Sequence, residues 1–472
     1  MKTECVQEEF EFHGINRREV KGEFSGGAIT SDGGGLLLRE VEQKYGIIRQ
    51  FAQSFKDYRD PDLIEHTLFE LVAQRVYGLA LGYEDLNDHE DLRRDPLLAT
   101  LVNKTDPTGQ DRVRKRDKGK ALAGKSTLNR LELTPADANA TSRYKKIVAQ
   151  GEEIERFFVD VFLRLHPKVP TRIVLDLDAT DDPLHGDQEG RFFHGYYREY
   201  CYLPLYIFCG EALLCAKLRE SNVDAADGVT EELERIVRQI RTKWPDVQIV
   251  LRGDSGFCRE GIMSWCEEHT IEYVLGFSKN ERLKKIIAEE MEQAKRMYEE
   301  NGKASRVYKD FMYKTLKSWS RERRVIGKAE YLSKGVNPRF VVTSLSPKHI
   351  DAKTLYEKEY CARGEMENRI KEQQLYLFSD RTSTSIMRAN QLRLWFSSVA
   401  YVLVNALRTF GLKGTEMSRA QCHTIREKLI KIGAMIKVSV RRVLIMLASG
   451  YPYQAIFAAA YRNLRILTPL RC

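Results

Sequence analysis

Two short runs, RIVLDLD (172–178) and QIVLRGD (248–254), constrain the fold of this chain more than any other feature. Each is apolar and β-branched and stops on a carboxylate, the form of a buried strand with an acidic tip. Between them, YLPLYIFCG and EALLCAKLRE meet at Gly210 and Glu211 and read as a β-hairpin. Residues 224–244 then carry helical spacing through Val229, Leu233, Ile236, Val237 and Ile240. A helix near 259–269 and a strand at 272–277 follow. Strand, hairpin, helix, strand, helix, strand predicts a mixed sheet flanked by helices, in the α/β class.

The flanks are of different character. Residues 1–165 are expected to be mostly helical after a Gly-rich opening at Gly26 to Gly35, with Leu63, Leu68, Leu71, Val72 and Val76 near helical spacing. Within them DRVRKRDKGK (111–120) holds six basic residues and no apolar period, so an exposed loop is expected. Residues 281–350 open with a charged helix and then alternate like strands, which predicts a β-rich insertion. A helix pattern returns at 351–408, and 409–472 reads as a basic helical segment. From Arg381 to the last residue there are 15 Lys and Arg against Glu416 and Glu427, a local +13 in a chain of net +9. Such a concentration fits a phosphate-contacting surface, with a solvated helical face as the alternative.

Asp178 and Asp254 end neighbouring predicted strands, where open α/β sheets form their ligand crevice. Carboxylates brought together repel unless a cation holds them, and oxygen-only ligation suits Mg²⁺. Alone, each could equally be a turn former. A third acid lies in YCARGEMENRIKEQQ (360–374), where Tyr360, Arg363, Glu367 and Lys371 recur every three or four residues along one helical face. Glu367 could complete a metal site while Arg363 and Lys371 meet phosphates; a salt-bridged surface helix is the alternative. Asp176, two residues before Asp178 on the same strand face, competes for the first position.

Together these segments resemble the bacterial insertion-sequence DDE transposases, whose third-acid helix reads Tyr, two residues, Arg, three residues, Glu, six residues, Lys. Tyr360, Arg363 and Glu367 match in register; the final Lys falls on Gln374, with Lys371 as a substitute one turn from Glu367. DLDATDDPLHGDQEG and LRGDSGF resemble the first and second acidic segments and place the other catalytic residues at Asp178 and Asp254. The resemblance covers about 170–410. It implies a ribonuclease-H-like catalytic domain in two parts, 166–280 and 351–408, split by the 281–350 insertion, with DNA-binding or assembly roles for 1–165 and 409–472.

It further implies an enzyme that binds terminal inverted repeats, hydrolyses phosphodiester bonds there and joins the freed 3′-OH to target DNA. Asp178, Asp254 and Glu367 would hold two Mg²⁺ ions, about 3.5 to 4 Å apart in such two-metal sites, with Mn²⁺ as a substitute. Tyr360, Arg363 and Lys371 would face transposon-end DNA. Related enzymes form a hairpin intermediate and flip a base onto an aromatic residue of the insertion; Trp319 in KSWSRERR is the candidate, with burial in the insertion's core as the alternative. Paired ends imply a homodimer in the synaptic complex.

Rival readings explain less. GKALAGKS (119–126) matches a phosphate-binding loop, but no buried strand precedes it, so no nucleotide cofactor is expected. His423, Arg426 and the tyrosines at 451, 453 and 461 resemble the catalytic end of metal-free tyrosine recombinases, a reading that leaves the strand-tip acids unexplained. A non-catalytic DNA-binding descendant of a transposase would keep the basic segment and lose the acids, and all three acids are present. Nine scattered cysteines without a C-x-x-C pair, a polar stretch over the first twelve residues and no 18-residue apolar run predict a cytoplasmic, nucleoid-associated protein that does not enter a membrane.

Overall fold

The computed structural model describes residues 9–466. The chain divides into two compact units: one holds the chain up to Ala149 and again from Val399 on, and the other is Gln150–Ser398.

The second unit is built on a mixed sheet. Its elements, in chain order, are α1 (Gly151–Leu165), β1 (Arg172–Ala179), β2 (Asp182–Pro183), β3 (Phe192–His194), β4 (Glu199–Tyr202), β5 (Leu205–Cys209), β6 (Ala212–Lys217), α2 (Val229–Lys243), β7 (Gln248–Gly253), α3 (Glu260–Glu268), β8 (Glu272–Phe277), α4 (Glu281–Ile286), α5 (Ala288–Asn301), β9 (Ser305–Tyr313), β10 (Arg323–Leu332), β11 (Gly335–Val336), β12 (Arg339–Thr343), α6 (Gly364–Lys371) and α7 (Met387–Ala406). Across the large sheet the order is β6, β5, β1, β7, β8, β12, β10, β9, with β11 paired to β10. Neighbours β1, β7 and β8 run parallel; the β5–β6 hairpin and β9, β10 and β12 are antiparallel to their neighbours. The parallel strands are joined through helices on the sheet's faces, so their residues are buried on both sides and read as continuous apolar runs.

One apolar core runs from Leu175, Leu177, Ile249 and Leu251 through Val229, Leu233 and Ile236 of α2 to Tyr313, Val325 and Val342. The strands expected within 281–350 are present, but they extend the main sheet edge to edge: β12 pairs with β8 from Val274↔Thr343 to Phe277↔Phe340. Pairing with β8 satisfies an edge that would otherwise carry unpaired backbone groups. The longest of these strands, β10, runs unbroken for ten residues.

In the first unit, helices Gly35–Tyr45, Leu68–Leu81 and Pro96–Leu101 pack on one another, and the chain's last part is woven into its first. Strand Ala434–Ser439 pairs with Arg442–Leu447 on one side and with Ala28–Thr30 on the other. The helical expectation for 409–472 is therefore corrected over 434–447: AMIKVS and RVLIML flank a two-residue turn, and alternation in a half-buried hairpin outweighs the surrounding helical tendency. Gly34 is required here, because a Cβ on it would lie 1.9 Å from the Leu429 carbonyl oxygen. Among the described residues no helix is long and apolar enough to cross a membrane.

Candidate active site

Parallel register sets the first two acids side by side. Leu251 pairs with Leu175 and Arg252 with Asp176, so two residues further along Asp254 falls level with Asp178. Each also serves its own turn: the Ala179 N–H donates to Asp178 at 3.0 Å and the Gly256 N–H to Asp254 at 2.7 Å. The turn-former reading is thus true of both, and it does not exhaust them. Asp178, Asp254 and Glu367 line one cavity of about 550 Å³, together with Arg363, Lys371 and Gln374 of the same helical run as Glu367.

Arg363 occupies the electrostatic centre. Its guanidinium donates to Asp178 at 3.4 Å and to Glu367 at 3.0 Å, and its side chain is only 18 % exposed. Burial, with Asp254 and Glu367 nearby, pushes the Asp178 carboxyl up to about 7 despite the pull of Arg363. Three carboxylates in one cavity, one of them costly to ionise, are the oxygen-donor set of a hard divalent cation, and in donor chemistry they fit one. No three His, Cys, Asp or Glu among the described residues form a group that could hold an ion.

Asp176 is spoken for. It is 4 % exposed and forms a two-point ion pair with Arg252, one bond at 2.8 Å, while Arg252 also donates to the Glu359 carbonyl at 2.6 Å. A buried pair so satisfied ties β1 and β7 to the helix above them.

Tyr360 stands close to Arg363 and Asp254 but is not among the residues lining the cavity. The backbone takes wider turns over 355–360 and tighter ones over 361–363, which breaks the 3.6-residue period just before Arg363. The Tyr360 hydroxyl lies over β8, where a Cβ on Gly276 would meet it at 2.6 Å. Lys371 is exposed on the cavity wall, and the Gln374 side-chain amide donates to the Asp181 carbonyl at 2.9 Å. Trp319 is corrected: it is 5 % exposed, its ring 4.9 Å from Phe277 and edge-on to Tyr313 at 5.8 Å, so no face is open to a base. An indole flanked by apolar strands gains more from burial than a single exposed contact returns.

His194, Tyr196 and Tyr197 also line the cavity, and sequence reasoning did not single them out. RFFHGYYREYCY (191–202) is unusually aromatic, and that was the available signal. The rival motifs serve structure: the N–H of Lys125 donates to Glu90 at 2.9 Å and residues 121–123 are buried, while Arg426 donates to the carbonyl of Ala80 at 3.1 Å. The basic 111–120 loop is held by Arg112, which pairs with Glu65 at 2.8 Å.

A family model described as "Transposase DDE domain group 1" matches residues 12–469. The chain belongs to this DDE transposase family. Among solved structures, the cryo-EM structure of a piggyBac transposase synaptic complex with hairpin DNA is similar at 9 % identity and a TM-score of 0.37, over 85 % of this chain and 80 % of that one. No curated protein matches it.

Proposed function

We infer that this transposase cuts DNA at the ends of a mobile element and joins the freed 3′-OH to a target, with Asp178, Asp254 and Glu367 as its catalytic acids. The observation that carries this reading is the convergence of the three carboxylates on one cavity from β1, from the end of β7 and from α6. A ribonuclease-H-like core at 166–280 and 351–408 is part of the same reading, supported by an antiparallel hairpin beside three parallel strands in a mixed sheet.

The three acids would hold divalent cations, Mg²⁺ or Mn²⁺, two in number if the site follows the two-metal pattern. Bound there, the ions would supply Lewis-acid stabilisation of the reacting phosphate and a more acidic water. Everything else falls to the chain. With such ions on Asp178 and Glu367, Arg363 would no longer be needed as their counter-charge, and its guanidinium could meet a phosphate with Lys371 beside it. The Asp176–Arg252 pair keeps β1 and β7 in register under the reacting groups. Tyr360, whose hydroxyl packs on Gly276, would face transposon-end DNA with Arg363 and Lys371. The substrate is double-stranded DNA, both element ends and target, and a homodimer would bring two such sites to paired ends.

Cleavage of a supercoiled plasmid carrying the element's own two ends tests the assignment. Metal-dependent cuts at those ends should vanish with EDTA and in Asp254→Asn and Glu367→Gln proteins that still fold and bind DNA. Cuts that persist in any of these three conditions would sink it.

A further inference from the structure

The carboxylate cavity contains a histidine whose ring nitrogens bond to nothing. Among the described residues no group meets either nitrogen of His194, and its Nδ1 atom is buried as well. Elsewhere the chain ties its histidines down: His66 meets Arg112 at 2.7 Å, His89 meets Gln74 at 3.0 Å, and His166 and His269 each meet a backbone carbonyl, at 2.7 and 2.8 Å. A polar atom buried without a partner costs stability, and in a native fold it marks a group held for another purpose.

The ring is held in place by its hairpin. β3 and β4 pair through Phe193↔Tyr200 and His194↔Glu199, and the Arg198 N–H closes the turn by donating to the His194 carbonyl at 2.8 Å. The base of the hairpin is fastened too: Ser221 donates to the Phe192 carbonyl at 2.9 Å, and the buried Tyr202 donates its hydroxyl to the Glu189 carbonyl. The Tyr197 ring lies against the imidazole, 4.9 Å away and tilted by 44°. Burial, followed by Asp181 and Asp178, pushes the Tyr197 hydroxyl up, so the ring that steadies His194 stands in the field of the first acid. With Nδ1 enclosed, Nε2 is the nitrogen left to the cavity. A neutral imidazole has one N–H, and placing it on Nε2 avoids an orphaned donor at the buried Nδ1.

We propose that His194 is a catalytic residue of the cleavage site, its Nε2–H donating a hydrogen bond to a non-bridging oxygen of the scissile phosphate. The proposal rests on the DNA-cleavage reading of the cavity, which His194 lines together with Asp178, Asp254 and Glu367. As the phosphodiester is attacked, charge on its non-bridging oxygens must be stabilised, and a donor already aimed at them needs no reorganisation. A nitrogen ligand is foreign to the oxygen set of a hard cation, so the imidazole's place is on the phosphate rather than on the metal. Arg363 and Lys371 bring positive charge from the helical run of Glu367; His194 adds an uncharged donor from a different element.

The test compares wild type with His194→Ala, His194→Gln and His194→Asn. The amide nitrogen of Gln falls near the place of Nε2 and that of Asn near Nδ1, so the two amides separate the ring nitrogens. Cleavage of a prebound, saturating duplex bearing the element's end, started with Mg²⁺, should slow about a hundred-fold in His194→Ala and His194→Asn and stay within about ten-fold in His194→Gln, the scale of one lost donor to developing charge. Affinity for that duplex in Ca²⁺, Mn²⁺ binding by calorimetric titration and the melting temperature of His194→Ala should equal or exceed those of wild type. A structural histidine would lower the melting temperature, and a metal ligand would weaken Mn²⁺ binding; either result overturns the donor role. So would His194→Gln cutting as slowly as His194→Ala, or His194→Ala cutting as fast as wild type, and both would leave the catalytic acids as assigned. Failure of wild type to cut the duplex would overturn the cleavage reading, and the donor with it.

Discussion

The Arg363 guanidinium reaches Asp178 at 3.4 Å and Glu367 at 3.0 Å, so it bridges two of the three acids to which the proposed function assigns a divalent cation. Two cations cannot share that position. Arg363→Gln is therefore expected to bind Mn²⁺ several-fold more tightly than wild type, measured by calorimetric titration without DNA. It should also melt earlier in EDTA, because two carboxylates lose their counter-charge. Unchanged or weaker Mn²⁺ binding would mean that Arg363 does not compete for the site.

Asp178 makes the apo site sensitive to pH. Its folded-state value of about 7 lies above the ordinary 3.8, so the folded chain holds a proton that the unfolded chain has released between those values. Stability without metal should fall as pH rises from about 4 to about 7, by on the order of 2–4 kcal/mol, and stay low above that. Asp178→Asn should then melt higher than wild type at pH 8 in EDTA, with the gap closing toward pH 4.5. A lower melting temperature at pH 8 would contradict it.

Gly276 and Tyr360 offer a test of the helix brace. A Cβ at Gly276 would lie 2.6 Å from the Tyr360 hydroxyl and 2.9 Å from the Ser255 nitrogen, next to the loop carrying Asp254. Gly276→Ala should cost about 1–3 kcal/mol, typical of overpacking, and lower cleavage more than the stability loss explains. Adding Tyr360→Phe removes one of the clashing atoms and should recover part of both losses. Purely additive effects in denaturant melts would show that the two positions do not press on each other.

What was legible in the sequence follows from how local each signal is. The strands ending at Asp178 and Asp254 could be read because burial on both faces forces an unbroken apolar run, and the Gly210 hairpin because a turn needs few residues. The helix carrying Glu367 was visible by period, but the change in turn width at 355–363 was not. Pairing of β8 with β12, and of Ala434–Ser439 with Ala28–Thr30, depends on partners far away in sequence, which periodicity does not encode. The same holds for charge: Arg408 and Arg426, part of the basic C-terminal count, are buried and bond backbone carbonyls. Exposed aromatics at 193–200 were present in the sequence, yet only the structure distinguishes a surface ring from a core one.

Trp319 provides the converse test. Packed against Phe277 and Tyr313, with the Arg323 guanidinium 5.6 Å from its ring, it joins the turn before β10 to the main sheet. Arg323 in turn bonds Glu260 at 2.7 Å and Glu267 at 2.8 Å, so loss of the indole would also loosen an ion-pair cluster on α3. Trp319→Ala should cost about 3–5 kcal/mol in denaturant melts, and Trp319→Phe markedly less, since a smaller ring still fills part of the space. A Trp319→Ala protein as stable as wild type would show that the indole does not carry this packing.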